Sequence, residues 1–370
     1  MLPFIIMDVT ARNKQRVFVA MSGGVDSSVC ASLLKQAGYD VVGVTMRLSA
    51  VEATDTETAS KTCCAGEGVS DAQAVAQVLE IPHYVMNFER EFQTYVMDYF
   101  VQEYARGRTP NPCLACNEYA KFAFLFRKVR ALGGDFLATG HYARIREEGG
   151  WFRLLTGLDP SKDQSYVLHT LRQDQLAHLL FPIGELTKEE TRRLAAKWGL
   201  PVADKPDSQD ICFIPSRRYR DFVAERVELE PGRMVDVTGR EVGRHGGIAL
   251  YTIGQRKGLG LGGGDPRYVV GLDAGTRTVT VGTREDLAVG SLVAERVNFI
   301  SGVRPAEPLR TRARYRYRSP LCDCTVTVEG DRIRVAFDEP QYGVCPGQAI
   351  VFYDGETALG GAIIEETCRL

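Results

Sequence analysis

Residues 16–28 read RVFVAMSGGVDSS, and the fold is decided here. Val17 to Met21 is a short apolar, β-branched run, as a buried strand would be. It passes through Ser22-Gly23-Gly24 straight into an amphipathic stretch, Asp26 to Gln36, closed by Gly38. Glycines at a strand-to-helix turn let the backbone close around a ligand, and the N–H groups and dipole of a helix N-terminus attract an anion. Hydroxyls of Ser22, Ser27 and Ser28 add donors, so the segment predicts a phosphate cradle. A serine-capped helix after a glycine turn is the plainer reading, and the strand before and helix after weigh against it. No G-x-x-x-x-G-K-[ST] motif occurs. Gly258-Leu259-Gly260-Leu261-Gly262-Gly263 matches G-x-G-x-x-G by letters, but Asp265-Pro266 stands where a helix should open, so a mobile loop is expected there.

Outward from this turn the alternation continues. Strands are expected at Val41–Met46, His83–Phe88 and Phe136–Thr139, with helices near Ser70–Leu79, Glu89–Ala105 and Asn117–Ala131. A further helix, Lys188–Trp198, opens behind Thr187 as a cap. Such a pattern specifies an α/β domain: a parallel sheet covered by helices, Rossmann-like in layout. After Pro215 the texture changes to glycine-rich short strands, and from Val293 to Ile364 apolar and polar residues alternate as in a small β-barrel. Boundaries near 215 and 285 give three domains: 1–215 for nucleotide binding, 216–284 as a small central domain, and 285–370 as a C-terminal β-barrel.

The chain has 370 residues, enough for several cores. No stretch approaches the roughly 18 uninterrupted apolar residues of a membrane span, and the apolar start Leu2–Met7 lacks the basic flank and cleavage site of a secretory signal. A cytoplasmic protein without a membrane partner is expected. The formal net charge of −2 neither suggests nor excludes nucleic acid, because a basic face can coexist with a neutral total. Ten cysteines in a cytosolic chain of this size read as metal, redox or catalytic residues rather than as staples.

Two cysteine segments stand out: Gly107-Arg-Thr-Pro-Asn-Pro-Cys113-Leu-Ala-Cys116-Asn117 and Asp207-Ser-Gln-Asp-Ile-Cys212-Phe-Ile214. Two prolines place Cys116 beside the N-terminus of the expected helix, where partial positive charge favours a thiolate. Cys113 and Cys116 have the C-x-x-C spacing of a zinc half-site, but a second half-site is absent from the chain. A thioredoxin-like site would follow a strand directly, whereas this one follows a long loop. Sulfur transfer is a third reading. Cys63 and Cys64 adjoin an expected active-site loop; Cys30, Cys322, Cys324, Cys345 and Cys368 read as packing or surface residues.

The SGGVDSS loop resembles the signature of the PP-loop ATP pyrophosphatases, which cleave ATP between its α- and β-phosphates. The match then extends along the chain: SGGVDSS, GRTPNP, ATGHYAR, KDQSY, SQDICFI, GQRKGLG, RARYRYR and CPGQAIVFYDG occur in order, a series similar to that of the tRNA-specific 2-thiouridylases. That resemblance implies a parallel-sheet domain of the adenine nucleotide α-hydrolase type and an ATP-dependent reaction on the wobble uridine of a tRNA, in which the oxygen at C2 is adenylated and replaced by sulfur from a persulfide. The rival within enzymes is a PP-loop ligase that adenylates a small metabolite. A decayed, purely RNA-binding protein is argued against by the intact loop.

By motif position the resemblance makes Cys212 the persulfide carrier and Cys116 the nucleophile. It puts ATP, with magnesium, against Ala20, Met21, Ser22, Gly23, Gly24, Val25, Asp26 and Ser27, with Met46 and Gly140 completing the pocket. Asp26 could assist the metal or merely cap its helix. Contacts to tRNA are implied for Asn111, Pro112, Cys113, His141, Lys162, Asp163, Gln164, Arg314, Tyr315 and Gln348, and a persulfide-donating sulfur carrier or cysteine desulfurase is implied as a second partner. Many relatives carry aspartate where this chain has Cys113, so an iron–sulfur cluster on Cys113, Cys116 and Cys212 is an alternative. From the residues alone, the basic, aromatic run Arg310–Arg318 is the richest RNA-binding patch, and strand alternation would send one set of its side chains to each face.

Overall fold

The computed structural model describes residues 15–48, 66–207, 211–214, 219–262 and 265–370. Cys63, Cys64 and Ser208–Asp210 lie outside them. The chain gathers into two compact units, one of 1–95 and 115–217, the other of 96–114 and 218–370. Residues 96–114, assigned from sequence to the nucleotide-binding domain, thus cluster with the C-terminal part.

In the first unit β1 (Arg16–Ala20), β2 (Asp40–Arg47), β3 (His83–Asn87), β4 (Phe136–Thr139) and β7 (Leu179–Leu180) form one sheet in the order β3-β2-β1-β4-β7. Every neighbouring pair is parallel. Val17, Phe18 and Val19 are all buried, because a parallel strand covered on both faces needs apolar residues at every position. The helix α1 (Val25–Gln36) packs Val25, Val29, Cys30, Leu33 and Leu34 into that core. α2 (Gly66–Val78) follows β2. The antiparallel hairpin β5 (Ala143–Glu148) and β6 (Trp151–Thr156) leaves β4. α5 (Lys188–Lys197) closes the unit; Thr187 caps it, its hydroxyl accepting from the Glu190 N–H while the Glu190 carboxylate accepts from the Thr187 N–H.

Two helices depart from expectation. The helix α3 starts at Glu89 and ends at Ala105 as foreseen, but its middle, Gln93–Asp98, winds more widely, with i→i+5 bonding. The helix α4 begins at Pro112, not Asn117, and runs through a wide-wound Cys116–Leu125 to Ala131. Proline needs no N–H partner in a first turn, and the Asn111 side chain accepts from the Cys113 N–H at 3.0 Å as a cap would. The start is therefore set by Asn111-Pro112. Cys116 consequently lies a turn inside the helix, which corrects its expected place at the N-terminus: the field of a helix end fades within that turn.

In the second unit, α6 (Tyr219–Ala224) precedes a four-stranded sheet ordered β10 (Tyr268–Asp273), β11 (Thr278–Gly282), β8 (Gly232–Asp236), β9 (Glu241–His245). Met234, Leu259, Val269, Val279 and Val281 fill its core. The 258–262 stretch forms no helix, and Leu259 anchors it. The barrel follows in the order β12 (Ala288–Phe299), β15 (Arg332–Tyr342), β14 (Cys322–Glu329), β13 (Leu309–Arg314), β16 (Ala349–Asp354), β17 (Thr357–Arg369), and β17 pairs back with β12 to close it. Against the barrel lies the GRTP loop. Thr109 donates its N–H to the Pro346 carbonyl at 2.8 Å, and the Gln348 amide donates to the Thr109 carbonyl at 2.7 Å. A Cβ on Gly347, at φ +91, would lie 3.0 Å from Thr109 backbone atoms, so the close approach explains the glycine of CPGQA.

Candidate active site

β1 and β4 are neighbours whose connections leave in opposite directions, and ligands of open α/β sheets bind outside the strand ends at such a switch point. The Ser22–Ser28 turn follows β1; Gly140 follows β4. Within the turn the Ser22 N–H donates to Ser27 Oγ at 3.2 Å, and the hydroxyls of Ser27 and Ser28 donate to the Gly24 carbonyl at 3.2 and 2.8 Å. These serines shape the turn. Gly23 has φ +71, and a Cβ there would overlap the Gly68 carbonyl of α2. The N-cap residue of α1 is Gly24, without a side chain to cover the helix end, which keeps first-turn N–H groups available to an anion. A Cβ on Gly140 would come 2.7 Å from the Ser27 nitrogen. The turn can approach α2 and the strand end of β4 this closely only because both positions are glycine. Met46 is buried in β2 opposite Met86.

Charged groups crowd beside the turn. Asp26, in the first turn of α1, accepts from the Tyr142 hydroxyl at 2.9 Å and from Lys188 Nζ at 2.7 and 2.9 Å. Lys188 also reaches Asp207 at 2.9 Å, where Lys162 (2.9 Å) and Arg192 (2.5 Å) converge. Burial alone would raise the Asp207 carboxyl, but hydrogen bonds from Lys162 and Lys188, and their charge, outweigh it and hold the group well below the ordinary carboxylate range. Burial and then the Asp26 charge push the Tyr142 phenol up. Lys205 donates to the Gly23 carbonyl at 3.2 Å and pairs with Asp71. Sequence reasoning missed Tyr142, Lys188, Arg192, Lys205 and Asp207; Lys188 showed only as the residue after a cap.

Cys116 and Cys212 belong to the same compact unit, both half-buried and neither in a disulfide. Cys116 opens the wide winding of α4, a distortion that frequently marks functional sites. One turn on, Lys121 meets His141 Nε2 at 3.4 Å, while His141 Nδ1 pairs with Thr139. Burial first, and then the Lys121 charge, hold the His141 imidazole well below its usual range. Beside Cys212, Phe213 packs edge-on against Phe92 with centroids 5.6 Å apart, and Ile214 is buried. Among the described residues no group of three His, Cys, Asp or Glu side chains is placed to hold a metal ion, so the cluster on Cys113, Cys116 and Cys212 finds no support. Burial pushes the thiols of Cys322 and Cys345 up to about 11 and that of Cys324 up to about 12, as packing residues.

Several residues expected at RNA are engaged inside the protein. His141, Asp163 and Tyr315 are buried. Asp163 accepts from the N–H groups of Gly157 and Ser165 at 3.2 and 3.0 Å, and Gln164 holds the Tyr142 backbone through both its side chain and its N–H. The side chains of Asp163 and Gln164 are thus spent on holding their own loop. Tyr315 packs on Phe337 in the barrel core. The alternation along 310–316 is real: Arg310, Arg312 and Arg316 are exposed and Arg314 half-exposed, whereas Thr311, Ala313 and Tyr315 point inward. Asn111 is half-buried, Pro112 buried and Cys113 exposed.

The sheet order and glycine cradle define a nucleotide-binding domain of the PP-loop type. Residues 15–216 match the family described as a tRNA methyl transferase HUP domain, 220–283 a tRNA methyl transferase PRC-barrel domain, and 289–364 an aminomethyltransferase beta-barrel domain. The chain is 48% identical over 363 residues to the tRNA-specific 2-thiouridylase MnmA of Geotalea uraniireducens, covering 96% of each. It is also 48% identical over 367 residues to that of Carboxydothermus hydrogenoformans, covering 97% of this chain and all of the relative. The chain belongs to the tRNA-specific 2-thiouridylase family. No helix among the described residues is long and apolar enough to cross a membrane.

Proposed function

We propose that this enzyme converts the wobble uridine of tRNA to 2-thiouridine at the expense of ATP. The observation that carries the reading is the glycine-walled cradle, Ser22–Ser27 against Gly140, in the same compact unit as Cys116 and Cys212. ATP lies with its phosphates on the α1 N-terminus and its adenine toward Met46. Magnesium, bound with the nucleotide, offsets the triphosphate charge.

The uracil C2 oxygen attacks the α-phosphorus, forming an O–P bond as the bond to the β-phosphate breaks and pyrophosphate leaves. Cys212, charged as a persulfide by an external sulfur carrier or cysteine desulfurase, adds its terminal sulfur to C2, and AMP departs with the former C2 oxygen. The Cys116 thiolate then attacks the inner sulfur of Cys212. The S–S bond breaks, 2-thiouridine is released, and a Cys116–Cys212 disulfide remains for a dithiol reductant to reopen. The tRNA is held by the exposed arginines of β13 and by the loops of Asn111–Cys113, His141, Lys162–Gln164 and Gln348.

Nucleoside mass spectrometry on tRNA treated with wild type, Cys116→Ser and Cys212→Ser tests this. Both variants should yield no 2-thiouridine while still binding tRNA, and 2-thiouridine formed by either would exclude the persulfide scheme. Pyrophosphate release that ignores tRNA would instead favour the small-molecule ligase.

A further inference from the structure

Lys121 is a cation without a counter-charge. It lies on the wide-wound segment of α4 that Cys116 opens, one turn on from that cysteine, and it is partly buried. Among the described residues no carboxylate pairs with it, and its polar partner is His141 Nε2 at 3.4 Å. An ammonium can only donate, so Nε2 accepts, the imidazole proton sits on Nδ1, and Thr139 Oγ1 receives it. The buried histidine is therefore a neutral prop that aims the ammonium without offsetting its charge. His141 follows Gly140, whose backbone packs on Ser27 of the phosphate turn, so Lys121 stands between the cradle wall and the helix that carries Cys116. Taking a charge partly out of water without a partner costs stability, and functional sites are where such costs are kept. The N–H groups of α1 already serve phosphate, which leaves for Lys121 an anion that forms on the Cys116 side.

Resting on the thiolation reading above, we propose that Lys121 donates to the O4 edge of the target uracil and stabilises the negative charge that sulfur addition puts on the ring. Adenylation of the C2 oxygen, with the N3 proton lost to water, leaves C2 doubly bonded to N3. When the persulfide adds, an S–C2 bond forms and the C2=N3 pair moves onto N3 and, by conjugation, O4. The pair returns to C2 as the C2–O bond breaks and AMP leaves. The ammonium keeps its proton throughout. Being a donor only, it also favours the O4 acceptor of uracil over the N4 amino group of cytosine.

Adenylation builds no negative charge on the ring, so the two chemical steps should separate. Rapid-quench single turnovers of the full chain, charged with persulfide by a cysteine desulfurase and cysteine and mixed with tRNA and MgATP, follow pyrophosphate and AMP independently. In Lys121→Met pyrophosphate should appear within severalfold of the wild-type rate, whereas AMP and 2-thiouridine should slow by about a hundredfold or more, as when one donor to a developing anion is lost. Lys121→Gln, polar but uncharged, should show the same split, and Lys121→Arg should recover part of the rate. Equal slowing of pyrophosphate and AMP, or a matching loss of MgATP affinity, would assign Lys121 to the phosphates and overturn the proposal; AMP release at the wild-type rate in either uncharged variant would overturn it too. A wild type that releases no pyrophosphate with tRNA would instead sink the thiolation reading itself.

Discussion

Gly140 approaches Ser27 so closely that a Cβ on Gly140 would lie 2.7 Å from the Ser27 nitrogen and 2.8 Å from the Asp26 carbonyl carbon. Both are backbone atoms of the first turn of α1, so nothing there yields by rotating a side chain. Gly140→Ala should displace the N–H groups that receive phosphate and weaken MgATP by about tenfold or more, with the circular dichroism spectrum unchanged. Wild-type affinity in this variant would mean that the helix end is not where phosphate binds.

Arg108 and Glu103 form a largely buried ion pair at 2.8 Å, and Arg108 also reaches Glu295 at 3.3 Å. Glu103 is 4% exposed, and its other contact is the more distant Arg106 at 3.4 Å. Removing the arginine strands a charge inside the protein, which typically costs about 3–5 kcal/mol. Arg108→Met should lower stability by about that amount in urea unfolding, and adding Glu103→Gln should restore part of it. If the double variant is no more stable than the single, lost packing and not the stranded charge is responsible.

The parts legible in the sequence were those written locally. The strand, glycine turn and helix of residues 16–36 could be read because a buried parallel strand, a positive-φ glycine and an amphipathic helix each leave a mark within a few residues. Thr187 announced its helix in the same way. What escaped was held by long-range pairing. Asp26 and Lys188 are 162 residues apart in the chain, and no spacing rule connects them. The start of α4 was misjudged for another reason: Asn111-Pro112 reads equally well as a loop or as a cap with a first-turn proline, and only the Asn111 to Cys113 hydrogen bond decides. In the arginine run, alternation was foreseen, but it took the barrel to show that Tyr315 lies on the inner side.

His141 gives stability a pH dependence of definite sign. Its folded-state pKa is lowered, by burial first and Lys121 second, while an unfolded histidine titrates near about 6.5. Below that pH the unfolded chain binds a proton that the folded protein refuses, so stability falls as pH drops through about 6.5 and is level above it. His83 and His245 are shifted the same way by burial and add to the trend. Urea midpoints measured from pH 8 to pH 5 should therefore decline at the acid end, and His141→Gln should flatten part of that decline. An identical slope in the variant would place the titration elsewhere.

The exposed arginines of the barrel are not equivalent, and their partners rank them. Arg310 forms a two-pronged ion pair with Asp338, so its charge is largely offset before RNA arrives. Arg312 is exposed on the same side of β13, and the Arg314 guanidinium lies over the Tyr353 ring at 5.3 Å, which orients the group. Each arginine that neutralises one phosphate contributes roughly one unit to the slope of log affinity against log salt, somewhat less for single-stranded RNA. Arg312→Ala and Arg314→Ala should each weaken tRNA binding and lower that slope by about 0.7 to 1, whereas Arg310→Ala should change it less. MgATP affinity should stay constant in all three. Fluorescence anisotropy at several salt concentrations measures both quantities, and slopes that match wild type for Arg312→Ala and Arg314→Ala would move the RNA contact off this strand.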